Sequence, residues 1–233
     1  MAYYFSRLQA ALQPNRQPTA RTMSTHAMHA NDLHRESSQT DSPRHTIMWI
    51  DGVGGYLLWD KPELVLGQAY FDSRADIGIT GDLGRQAAAV RRLGADYLIQ
   101  PLQATKLDGR TIDRPQLLRD GSLIELGNSV KLRFLRPSTL SGTARLEMVS
   151  IHHWKPTVDA VVLLADCCMI GPRAGSHIPC PQWQKELVLV QKAGMWHLRA
   201  DEDMQVNGQI VQGQIPIASG TRVRGEDFSV SFE

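Results

Sequence analysis

Two stretches of this chain carry the same landmarks at the same spacing, which restricts the fold to one built from two copies of a small unit. Tyr97-Leu98-Ile99, Leu107-Asp108-Gly109 and Gly121 in the first are matched by Trp196-His197-Leu198, Val206-Asn207-Gly208 and Gly220 in the second. In both, the aromatic residue precedes the Asp or Asn by 11 positions, and the next two glycines lie 12 apart. Each copy opens on an apolar run closed by glycine, Leu64-Val65-Leu66-Gly67 and Cys168-Met169-Ile170-Gly171, and each ends on an alternating segment, 130–134 and 228–232. A period of about 100 residues is too long for a solenoid unit, so the pattern reads as one domain duplicated.

Between the landmarks, apolar stretches of a few residues alternate with Asp51-Gly52, Gly54-Gly55, Gly81-Asp82, Asp108-Gly109, Asp120-Gly121 and Gly127-Asn128. Short antiparallel strands joined by tight turns produce this pattern, because Gly, Asn and Asp supply the positive φ that such turns need. The alanine-containing stretch 83–92 is the one segment resembling a helix; it is short and ends in an arginine pair, so it reads as a loop entering a strand. The expected fold class is all-β, two antiparallel β-sandwiches in tandem.

At 233 residues and 42% hydrophobic composition the chain can bury a core in each copy. Lys+Arg 25 against Asp+Glu 24 leaves no basic excess, so a nucleic-acid partner is not expected. No apolar run is long enough to span a membrane, and Arg7, Gln9, Gln13 and Arg16 interrupt any signal-peptide core, which places the protein in the cytoplasm. Cys167, Cys168 and Cys180 fit that compartment as small core residues. Residues 1–45 are poor in aliphatic side chains after an initial apolar patch and are expected to form a disordered tail. Its histidines, His26, His29, His34 and His45, lack ligand spacing and companion Cys or carboxylates, so no metal or other cofactor is expected. Thr19 and Thr40 would be accessible hydroxyls there, and Met23 or Met28 are alternative starts to Met1.

Leu66-Gly67, the segments 75–79 and 82–88, Leu107-Asp108-Gly109 and the segment 118–127 resemble the forkhead-associated (FHA) domain along nearly its whole length. That family carries an IGR turn, a D-I strand, an SRxHA loop, a TNGT segment and a closing L-xx-GD motif, and their order is retained here. The resemblance implies an eleven-stranded β-sandwich whose loops at one end bind phosphothreonine peptides, as in bacterial signalling proteins of this type. The phosphate-binding positions do not follow the scaffold. The family's Arg, Ser, His and Asn correspond to Gln68, Gly84, Ala87 and Gln103, while Arg85 and Thr105 keep the family's residues. A phosphate of about −1.5 to −2 charge needs charge-assisted donors, so the first repeat is expected not to recognise phosphothreonine.

The second repeat is five residues shorter between its glycine and its aromatic, 25 positions from Gly171 to Trp196 against 30 from Gly67 to Tyr97. The segment 181–185 therefore stands where the family has its recognition loop. Arg173, His177 and Lys185 are candidates for a new anion site, against the simpler reading of two solvated cations and a histidine at a strand edge. Trp183, in a short Pro-flanked loop, is expected to be an exposed interface anchor, and Trp196 a core residue. The resulting division is a tail at 1–45, a first domain at 46–137, of which the segment 47–137 is expected to fold alone as a β-sandwich, an apolar linker at 138–156 and a second domain at 157–233. No phosphate-binding loop, nucleophile elbow or zinc-protease motif occurs, so no enzyme is expected. His152 and His153 read as linker residues without catalytic company. The expected function is a non-catalytic adaptor for another protein, phosphorylated or not, with no membrane or nucleic-acid partner and an open oligomeric state. The alternatives are a phosphothreonine reader in bacterial Ser/Thr-kinase signalling and a structural subunit whose Trp154 and Trp183 a partner covers.

Overall fold

The computed structural model describes residues 45–71 and 73–233, which form strands joined by turns, without a helix. Apart from His45, the tail expected to be disordered lies outside these residues. The chain begins with a hairpin of β1 (Thr46–Ile50) and β2 (Gly54–Trp59). The first repeat supplies β3 (Glu63–Gln68), β4 (Ile77–Thr80), β5 (Ala88–Leu93), β6 (Asp96–Pro101), β7 (Thr105–Leu107), β8 (Arg110–Ile112), β9 (Gln116–Leu118), β10 (Leu123–Leu126) and β11 (Val130–Leu135). Next come β12 (Ala144–Met148), β13 (His153–Lys155) and β14 (Ala160–Leu163). The second repeat adds β15 (Cys167–Gly171), β16 (Ile178–Pro179), β17 (Leu187–Lys192), β18 (Met195–Ala200), β19 (Met204–Val206), β20 (Gln209–Val211), β21 (Gln214–Pro216), β22 (Arg222–Arg224) and β23 (Ser229–Phe232).

The alternation read from the sequence places the side chains. In β11, Val130, Leu132 and Phe134 are buried while Lys131 and Arg133 face out, and in β23 Val230 and Phe232 are buried. Residues 83–87 lead into β5 as a loop, as their composition predicts.

Pairing between strands departs from the expected domain boundaries. A twelve-stranded sheet runs β20-β19-β22-β23-β1-β2-β14-β12-β11-β10-β7-β8, joined by a six-stranded sheet β13-β4-β3-β5-β6-β9 and a five-stranded sheet β16-β15-β17-β18-β21. The N-terminal hairpin pairs with β23 of the second repeat, and β12 with β14 takes the matching place beside β11 of the first. Each repeat reaches eleven strands, six from the large sheet and five from its own smaller sheet, with β13 as an extra edge strand on the first. The exchange therefore corrects three expectations. Residues 46–59 complete the second sandwich, residues 138–156 carry strands β12 and β13 of the first, and 47–137 lacks two strands of its own sheet. Hydropathy alternation marks a segment as strand but leaves open which edge it joins, and this choice is made by long-range pairing.

At the centre, β2 and β14 run parallel, with Tyr56 opposite Ala160 and Leu57 opposite Val161. Both are apolar on both faces. Tyr56, Leu58, Ala160 and Val162 pack into the core of the second sandwich, and Leu57, Trp59, Val161 and Leu163 into that of the first. Because successive strand residues point to opposite faces, the two smaller sheets cover opposite faces of the large one. Each fully buried aliphatic or aromatic side chain here contributes about 1.5–3 kcal/mol, so the shared strands serve two cores at once. A polar tie crosses the same junction, where the Gly55 N–H donates to Asp159 Oδ2 at 2.7 Å, and within the first sandwich the Tyr97 hydroxyl donates to the Gly142 carbonyl at 2.8 Å.

Candidate functional site

The loop end of the first sandwich is formed by the β3–β4, β4–β5 and β6–β7 connections, and it gathers the positions that the family resemblance singles out. Gln68, at the end of β3, donates from Nε2 to the Gly81 carbonyl at 3.2 Å, and its N–H donates to the Gly84 carbonyl at 2.9 Å. It thereby splints the β4–β5 loop instead of presenting a cationic donor to solvent. At Gly84 the space that a Cβ would occupy is filled by the Gln103 carboxamide. Gly84 and Gln103 are thus a coupled pair, since the longer side chain fits only where the serine is absent. Ala87 is buried, and its N–H donates to the Leu66 carbonyl at 2.7 Å. Thr105 is buried too, with Oγ1 donating to the Gln103 carbonyl at 2.9 Å. Of the six matched positions, Gln68, Ala87 and Thr105 support the loops from within, while Arg85 and Gln103 line an open cavity with Arg74, Gln86 and Leu102.

Two features at this end escape sequence reasoning. Tyr70 and Phe71 stand exposed on the β3–β4 loop, lining a groove with Gln68, Ala75, Thr80 and Lys155. Nothing in their immediate sequence separates them from core aromatics, because exposure is fixed by the loop's departure from the sheet. The second feature is β13, which pairs with β4 and brings His152 and His153 to the same end. His152 Nδ1 lies 2.8 Å from Ser150 Oγ and its Nε2 lies 3.3 Å from Ser129 Oγ, while the His153 N–H donates to Thr80 Oγ1 at 2.9 Å. These contacts fasten the 150–155 segment to the sandwich.

The candidate residues of the second repeat are not gathered into a site. Trp183 is 4% exposed and tilted against Phe228 with ring centroids 5.5 Å apart, a core residue and not a surface anchor. The shortened loop folds inward over the core, where a large ring displaces more water than it would outside. His177 is fully buried. Its Nδ1 accepts from the Met169 N–H at 2.9 Å, which leaves the proton on Nε2, and burial together with nearby Arg145 lowers its pKa to about 4. Arg145, from β12, donates to the His177 carbonyl and pairs with Glu147 at 2.6 Å, tying the two repeats together. Arg173 pairs with Glu186 at 2.8 Å, and Lys185 pairs with Glu202; their hydrogen bond raises the lysine pKa and lowers that of the carboxyl group. Arg173, His177 and Lys185 are each engaged with other groups and do not converge on an anion site, while Arg173 and Lys185 keep to the surface as paired cations and His177 is buried instead of lying at a strand edge. Trp154 is fully buried in the first core, so neither tryptophan awaits a partner's cover. Among the described residues no cluster of three or more His, Cys, Asp and Glu is arranged to hold a metal ion.

No protein-family model and no curated protein sequence matches the chain. Solved structures do resemble it in part. The FHA domain of the CT664 protein from Chlamydia trachomatis is 19% identical over 36% of this chain and 89% of its own, with a TM-score of 0.27. A domain from a study of phosphothreonine-dependent FHA interactions gives 19% identity over 36% and 88%, with a TM-score of 0.26. The N-terminal FHA domain from EssC, a component of the bacterial type VII secretion apparatus, is 10% identical over 80% of this chain and 91% of its own, with a TM-score of 0.22.

Proposed function

We infer that the protein is a non-catalytic cytoplasmic adaptor that binds another protein through the loop end of its first sandwich. The observation that carries this reading is the exposed Tyr70 and Phe71 pair on a loop anchored to a rigid sheet, beside positions where neutral side chains replace phosphate donors. Exposed aromatics on fixed loops supply contact area at low entropic cost. Arg74 and Arg85 favour a second reading, a phosphothreonine reader, because both line the adjoining cavity with Gln103. One experiment separates them. The full chain is used to capture partners from native lysate, with and without phosphatase treatment. The adaptor reading expects capture that survives phosphatase and is lost in the Tyr70→Ser/Phe71→Ser double variant. Capture abolished by phosphatase and by Arg74→Ala would favour the reader and sink the phosphate-independent adaptor.

A further inference from the structure

The second repeat carries a cavity bounded by Gln205, Asn207, Gly208, Gly220, Arg222 and Arg224. It lies at the Asn207-Gly208 turn, the end of β19 farthest from the 201–203 connection, and so apart from the loop end. On β22, Val223 points into the core, leaving Arg222 and Arg224 on the outer face about 7 Å apart. Among the described residues neither arginine has a carboxylate partner, whereas Arg173, Lys185 and Arg199 pair with Glu186, Glu202 and Asp201.

The first repeat provides an internal control, because the duplication places a known residue at every equivalent position. There Glu125 stands opposite Lys106 and pairs with Lys131 at 3.4 Å. In the second repeat Arg224 stands opposite Gln205 on one side and Ser229 on the other, so both partners of an acid have become neutral around a cation. Leu123 is replaced by Arg222, and the carboxylate of Asp108 by the amide of Asn207. The Asn207 Oδ1 accepts from the Arg222 N–H at 2.9 Å, which leaves its NH₂ for other acceptors. A self-neutralised patch in one copy has become a donor-rich one in the other.

We propose that this outer face of β19 and β22 binds a phosphate group. Two guanidinium forks and an amide present donors from adjacent strands, more than one planar carboxylate can use and well suited to a tetrahedral dianion. The test is residue-resolved NMR of the ¹⁵N-labelled full chain, titrated at constant ionic strength with inorganic phosphate in one arm and O-phosphoserine in the other, against chloride. Saturable shifts at Gln205, Asn207, Arg222 and Arg224 are expected. Equal affinity in the two arms assigns recognition to the phosphate group itself, and tighter O-phosphoserine binding assigns it to a monoester. The Asn207→Asp/Arg224→Glu variant restores the first repeat's residues, and it should bind at least about tenfold more weakly. Arg222→Gln, which adds no charge of its own, should weaken binding in the same direction. Shifts that do not saturate, that chloride reproduces, that survive both variants, or that are confined to the loops around Arg74 would overturn the proposal.

Discussion

Asp108 and Asn207 hold φ of 50° and 47°, a region L-residues avoid, and in each copy the following glycine has positive φ as well. Each side chain offsets part of that strain by accepting from a neighbouring strand, Asp108 Oδ1 from the Leu123 N–H at 2.8 Å and Asn207 Oδ1 from Arg222. Asn207→Ala should therefore cost about 2 kcal/mol, combining the left-handed penalty with one lost hydrogen bond, and Asp108→Asn much less; chemical denaturation of the purified variants measures both. Trp183→Ala should cost about 3–5 kcal/mol, as much as Trp196→Ala, because both rings are buried. A melting temperature unchanged by Trp183→Ala would contradict its place in the core. His177 adds a pH dependence. Its pKa falls from 6.5 to about 4 on folding, so between these values the unfolded chain takes up a proton that the folded one refuses. Its stabilising contribution is complete above pH 6.5 and is lost as pH falls toward 4, amounting to at most about 3 kcal/mol. Thermal melts across that window should show the loss, and His177→Gln should flatten it.

At the scale of elements, the repeated landmarks fall on equivalent strands. Tyr97 and Trp196 lie on β6 and β18, and the two Asx-Gly turns close the β7–β8 and β19–β20 hairpins. The hairpin β1–β2 and the strands β12 and β14 carry no such signature, and they are the elements that exchange places. A fragment spanning 63–165 contains all eleven strands of the first sandwich together with β13, whereas 47–137 lacks β12, β13 and β14 and carries a hairpin whose partner β23 is missing. The longer fragment is expected to melt cooperatively and 47–137 to melt broadly or aggregate, which circular dichroism on heating will distinguish. Equal cooperativity in the two would mean that β1–β2 can pair with β11 instead.

For the whole molecule, β2 and β14 have no solvent face to lose independently, since each contributes to both cores. Unfolding either sandwich strips one face of both strands, so the full chain should show a single transition despite its two repeats. Calorimetry resolving two separate transitions would show that the shared strands couple the halves only weakly. The same continuity holds the loop end of the first sandwich and the arginine face of the second on one framework, so a partner touching both would meet a fixed spacing between them.

Turn chemistry and alternation are local properties, and for that reason the all-β class, the paired landmarks and the hairpin turns were legible in the order of residues. Gln68, Gly84 and Gln103 could be read as substitutions, but their interlocking required the Gln103 side chain to be seen in the space above Gly84. Strand partnership and side-chain exposure depend on residues far apart in the chain. Tertiary structure alone therefore decided that residues 46–59 complete the distant repeat and that residues 138–156 contribute strands β12 and β13 to the first sandwich. It also placed Trp183 inside and left Tyr70 and Phe71 outside, because burial is set by what the rest of the fold brings alongside each ring.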